Sequence, residues 1–173
     1  MEYCEGGDLD AFIKTYGGKK EHWETYQKFI ESILKGLAIF HGSKQLHRDI
    51  KPPNILLQGK KDDLKSLTTK IGDVGLARNV TNVDNSNRTL GIGTPHYWAP
   101  EQIRYEEYSL PADMFAAGIV FHELISGKHP FDKNPGRNLA NEPHPLPAWV
   151  PEYSRSLVMK LLRKGPEERP TCE

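Results

Sequence analysis

Trp23, Tyr26, Ile30, Ile33, Leu37 and Phe40 recur at spacings of three and four, which predicts a long amphipathic helix with Gly42 just past its end. A shorter helix around Leu9, Phe12 and Ile13 is expected before it, closed by YGGKK. In NILLQGKKDDLKSLTTKIGDVGLA, apolar runs flank a charged tip and predict two short strands. PADMFAAGIVFHELISG opens on proline, ends on glycine and is apolar on most faces, so residues 111–126 read as a buried central helix. A last helix is expected through Leu157, Val158, Leu161 and Leu162. Residues 79–92, rich in Asn, Thr and Ser, predict an exposed loop, and the five prolines of 133–151 predict an irregular segment. The expected fold class is mainly α (α+β), a helical body with one small β-hairpin.

With 173 residues the chain is long enough for one domain with a sizeable core. Lysine plus arginine total 23 and aspartate plus glutamate total 23, a balance that points away from nucleic acid or a membrane as partner. Cys4 and Cys172 are too few for a disulfide framework, and MEYCEGGDLD has no signal-peptide pattern. The longest apolar stretch, 114–125, is interrupted by His122 and Glu123 and is too short to span a bilayer. A soluble, cytoplasmic protein is therefore expected.

The chemistry concentrates in LHRDIKPPNILL, residues 46–57, where His47, Arg48, Asp49, Lys51 and Asn54 precede the apolar run Ile55, Leu56 and Leu57. A carboxylate, an ammonium and an amide projecting at the mouth of a strand-like anchor are what a held catalytic loop presents. The pattern His-Arg-Asp-x-Lys-x-x-Asn is followed by IGDVGLAR, with Asp73 nineteen residues beyond Asn54, and by GTPHYWAPE at 93–101. MEYCEGGDL precedes them. In these motifs and their order the chain resembles the C-terminal lobe of a eukaryotic-type serine/threonine protein kinase, from Met1 to about Thr171.

The resemblance implies an enzyme, a partial kinase domain over 1–173, that transfers the γ-phosphoryl of Mg-ATP to Ser or Thr of a protein substrate. It implies a hinge at 1–8, a catalytic loop at 47–54 and an activation segment at 73–101. By that match Asp49 is the catalytic carboxylate, Lys51 neutralises charge on the transferred phosphate, and Thr94 contacts both. Asn54 and Asp73 are the Mg²⁺ ligands. Met1 is the gatekeeper, the backbone of Glu2 and Cys4 meets adenine, Asp8 lies near the ribose, and Leu56 forms the floor under the base. Arg48 implies control by an upstream kinase acting on the 79–92 loop, with Thr89 the first candidate and Thr81 and Ser86 behind it. Glu101 with Arg169, and Asp113 beneath the catalytic loop, match structural partners, and Phe115 stands where the family usually has tryptophan.

Val74 replaces the family's phenylalanine after Asp73, and a smaller side chain should hold the active arrangement more weakly. The chain starts at the hinge, so the glycine-rich loop, strand lysine and helix glutamate that cover ATP have no match in it. On its own the chain is expected to transfer phosphate barely, as a fragment or a shortened member. The alternative reading is a non-catalytic kinase-like interaction module.

Overall fold

The computed structural model describes residues 4–73, 77–79 and 93–172, with Arg78 and Asn79 described by backbone alone. Its centre is α4, Leu110–Ser126, in which every residue from Ala112 to Ile125 is buried. The apolar run explains this, because a helix without a polar face must be covered on all sides. Pro111 sits in its first turn, and Gly127 ends it at φ 71°, donating its N–H to Glu123 O.

Helix α2, Trp23–Gly42, packs on one side of α4, and α6, Glu152–Leu161, on another. A Cβ on Gly118 of α4 would stand 2.8 Å from Leu161 Cβ, so α6 approaches where α4 has no side chain. Gly118→Ala should push α6 outward and cost about 1–3 kcal/mol. Urea denaturation should show a lower midpoint at unchanged slope.

The buried face of α2 is Tyr26, Phe29, Ile33, Leu37 and His41. The stripe expected from hydropathy shares Tyr26, Ile33 and Leu37 with it but includes Trp23, Ile30 and Phe40, which are half-buried, and omits Phe29 and His41. His41 turns inward because it finds a carboxylate on α4, and Ile39 is left 74% exposed. Gly42 is the last helical residue rather than the one past the end.

Helix α1, Leu9–Tyr16, is capped by Asp8 and stops at Gly17. Strands β2, Ile55–Gln58, and β3, Thr68–Ile71, form the expected antiparallel hairpin, with Ile55 opposite Ile71 and Gln58 opposite Thr68. The hairpin lies on α2, where Ser32 Oγ donates to Thr69 O at 3.1 Å. Gly6 and Gly7 exchange backbone hydrogen bonds with Leu57 along β2. A second antiparallel pair joins β1, Gln45–Leu46, to β4, Arg78–Asn79.

After α3, Pro100–Ile103, and α4, the segment 133–151 is not wholly irregular as expected. It contains α5, Pro135–Ala140. Asn134 accepts a hydrogen bond from Gly136 N, and Pro135 occupies a first-turn position where its missing N–H costs nothing. Prolines that read as breakers include one that starts a helix. Among the described residues, no helix is long and apolar enough to cross a membrane.

Candidate active site

The loop between β1 and β2 is held from below by one carboxylate. Asp113 of α4, 2% exposed, accepts from His47 N at 2.8 Å and Arg48 N at 3.0 Å, and lies 3.1 Å from His41 Nε2. Arg48 has φ 70°, a left-handed conformation that costs an L-residue about 1–2 kcal/mol. Two bonds to an ionised acceptor offset that strain. The fully buried His47 places Nε2 3.0 Å from Gly72 O and accepts weakly from Asp49 N at Nδ1, so its Nε2–H tautomer ties the loop to the end of β3.

Asp49, 6% exposed, then meets three other side chains. Lys51 Nζ lies 2.8 Å from its Oδ2, and Asn54 Nδ2 donates to Oδ2 and to the backbone O, each at 2.9 Å. Thr94 Oγ1 donates to Oδ1 at 3.2 Å and accepts from Lys51 Nζ at 2.8 Å. Four expected catalytic residues, Asp49, Lys51, Asn54 and Thr94, are therefore joined through Asp49 although Thr94 is distant in sequence. Its approach depends on Gly93, at φ 95°, where a Cβ would stand 2.7 Å from Arg48 O. The cluster presents an anion fixed by donors, with a cation beside it.

The residues expected around nucleotide surround the same hairpin. Asp8 pairs in a β-bridge with Leu56, but its carboxylate is occupied in capping α1, accepting from Ala11 N at 2.8 Å. Leu56 is half-buried, and a Cβ on Gly72 would lie 3.2 Å from its Cδ1. Cys4 is half-buried at the head of the segment that runs along β2. Asp73 is exposed at φ 53°, one residue after Gly72, whose N–H donates to Asn54 O at 2.8 Å. Met1, Glu2, Val74, Gly75, Thr81, Ser86 and Thr89 lie outside the described residues.

Among the described residues no three His, Cys, Asp or Glu side chains gather as a metal site. Asn54 and Asp73 instead offer an amide oxygen and a carboxylate on adjoining backbone. With the amide nitrogen of Asn54 committed to Asp49, its oxygen is the remaining donor. That set fits Mg²⁺, which takes few protein oxygens and completes its shell with phosphate and water.

The segment 93–101 is fastened at several points. Glu101 and Arg169 form a buried bidentate pair, at 2.7 and 2.8 Å, and Arg169 also donates to the carbonyls of Pro111, Arg163 and Lys164. Asn138 of α5, fully buried, donates through Nδ2 to His96 O at 2.9 Å and Trp98 O at 3.0 Å. Tyr97 donates its hydroxyl to Glu123 at 2.9 Å, and burial pushes the Glu123 carboxyl above the usual range. His129 donates from Nε2 to His96 O and accepts from Phe131 N and Lys133 N at Nδ1.

Sequence reading missed His41, His129 and Asn138. A signal existed for His41, four residues after Leu37 on the buried stripe; Asn138, in a proline-rich stretch, left none.

Burial depresses His129 to about 4, against an ordinary value of 6.5. The folded state holds the neutral ring, so its contribution is complete above pH 6.5 and is lost as pH falls from there to about 4. The loss should reach about 3 kcal/mol. Urea midpoints at pH 7 and pH 4.5 should differ more for the native chain than for His129→Gln, which removes this titration.

The protein kinase domain family matches residues 1–173. The serine/threonine-protein kinase ATG1a of Arabidopsis thaliana is 36% identical over 99% of this chain and 28% of its own length. The serine/threonine-protein kinase Nek3 of Mus musculus is 35% identical over 99% of this chain and 33% of its own. The serine/threonine-protein kinase PLK4 of Drosophila virilis is 29% identical over the whole chain and 22% of its own. The chain thus spans a third or less of these relatives, and its match to the family runs from end to end. With the motifs at 46–57 and 93–101 folded against a buried central helix, the chain belongs to the protein kinase domain family.

Proposed function

We propose that the protein transfers the γ-phosphoryl group of Mg-ATP to serine or threonine hydroxyls of a protein substrate. The observation that carries this reading is the contact of Asp49, Lys51 and Thr94 within one cluster. Asp49 orients the attacking hydroxyl and accepts its proton as the new O–P bond forms and ADP departs. Lys51, beside that carboxylate, balances charge on the transferred group. Thr94 fixes both, so the activation segment must be seated for the base and the cation to be aligned. Asn54 and Asp73 would hold Mg²⁺, which supplies charge neutralisation at the phosphate oxygens. The backbone of Glu2 and Cys4 receives adenine, with Leu56 beneath it and Asp8 near the ribose. An upstream kinase modifying the 79–92 segment, Thr89 first, acts as the switch, and the working compartment is the cytoplasm.

The test is ³²P transfer from γ-labelled ATP to serine, threonine and tyrosine peptides by the protein that carries this chain, with Asp73→Ala as background. Incorporation into Ser and Thr peptides that disappears in Asp73→Ala is the expected result. If ATP fails to bind with magnesium present, the enzyme reading is wrong and a kinase-like interaction module replaces it.

A further inference from the structure

The indole N–H of Trp98 is buried and has no hydrogen-bond partner. Such a donor is costly to leave alone. It faces the underside of the catalytic loop. The position that a Cβ on Gly93 would occupy lies 3.2 Å from Trp98 Nε1, 2.7 Å from Arg48 O and 3.5 Å from Asp49 Oδ1. One donor and two acceptors therefore converge beside a residue that has no side chain. A small cavity of about 10 Å³ is lined by Arg48, Asp49, Thr94 and Trp98, and further by Tyr97, Gln102, Tyr108 and Asp113. That is about the least space that admits one water, and polar walls are what such a water requires.

The chemistry of the walls selects the occupant. An anion would face the Asp49 carboxylate and the Arg48 carbonyl, and a cation would face the indole N–H. A hydroxyl carried by a larger molecule has no room. Water fits because it can accept from the indole N–H and donate to Arg48 O and Asp49 Oδ1.

We propose that this cavity is a water site and that Trp98 is a positioning residue for Asp49, acting through the water. The indole N–H donates to the water, which donates in turn to Arg48 O and Asp49 Oδ1. Oδ1 then has two donors, Thr94 from the side and the water from below, while Lys51 and Asn54 serve Oδ2. The carboxylate plane is fixed from both oxygens. Asp49 has its catalytic part only under the function proposed above, but the water site rests on the geometry alone.

The test is magnetic resonance of the ¹⁵N-labelled chain without nucleotide or substrate, so its outcome is independent of any transfer assay. The indole signals of Trp23, Trp98 and Trp149 are assigned from Trp23→Phe and Trp149→Phe, which leave the site untouched. Trp98 Nε1–H should show a cross-peak to a water that stays longer than the protein takes to tumble. A protected Trp98 indole with no water cross-peak overturns the proposal. Trp98→Phe keeps a ring in place without the donor and should shift the Asn54 side-chain amide and Thr94 signals. Should that variant not fold, Asp49→Asn in the native background should move the Trp98 indole signal although the two side chains share no direct bond. Unmoved signals in whichever variant is read overturn the positioning role.

Discussion

Asparagine in place of Asp49 should lower phosphoryl transfer by about 10²–10⁴-fold. The replacement is nearly isosteric, and the amide oxygen can still accept from Lys51, Thr94 or Asn54, so the loop stays in place. Under the proposed function, what disappears is the carboxylate that would take the substrate proton, together with the negative charge paired to Lys51 at 2.8 Å. Peptide phosphorylation and thermal unfolding should be measured on the same preparation of the protein that carries this chain. The expected outcome is loss of kcat with a melting temperature within a few degrees of the native value. Transfer at near the native rate would remove Asp49 from its assigned part. A large drop in melting temperature would show instead that the cluster is mainly a structural clasp.

Arg169→Ala should produce the largest loss of stability, about 3–5 kcal/mol. The guanidinium is fully buried, and its removal strands the Glu101 carboxylate, whose side chain is 4% exposed. It also orphans the carbonyls of Arg163 and Lys164, removes a second donor from Pro111 O, and uncovers the Phe115 ring, over which Arg169 lies at 4.9 Å. Domains of this size have about 5–15 kcal/mol in total, so a large share of the folding free energy is at stake. Removing the charge at both ends, as Glu101→Leu with Arg169→Met, should recover only part of it, because the carbonyls of Arg163 and Lys164 still lack that donor. Arg104→Ala, which loses an exposed contact with Glu106 at 3.5 Å, should change the urea midpoint little. A deficit in Arg169→Ala no larger than in Arg104→Ala would refute the account.

The parts of the fold that hydropathy resolves are those in which burial follows residue type. The central helix was legible because nearly every position from Ala112 to Ile125 is apolar, and the hairpin because apolar runs flank a charged tip. The phase of α2 was not read fully, because His41, although in step with Leu37, is polar and is buried by a carboxylate more than seventy residues away. α5 was hidden because prolines suggest irregular chain unless the asparagine before one is recognised as a cap. Within the site, Asp49, Lys51 and Asn54 were legible from spacing, whereas Thr94 came from a separate motif and its contact with them is a fact of three-dimensional closure. Trp98 and Asn138 act through backbone groups and cavities, which side-chain patterns do not display.

The contact of Thr94 with both Asp49 and Lys51 makes the site a conjunction of two independently anchored parts. Asp113 sets the 47–49 backbone, while Asn138 and His129 set the carbonyls of His96 and Trp98. Thr94 hydroxyl geometry is correct only when both hold. The molecule thereby reads two inputs with one hydroxyl, as a logical AND gate does. A disturbance at α5 and a disturbance at α4 would arrive at the carboxylate of Asp49 as the same signal.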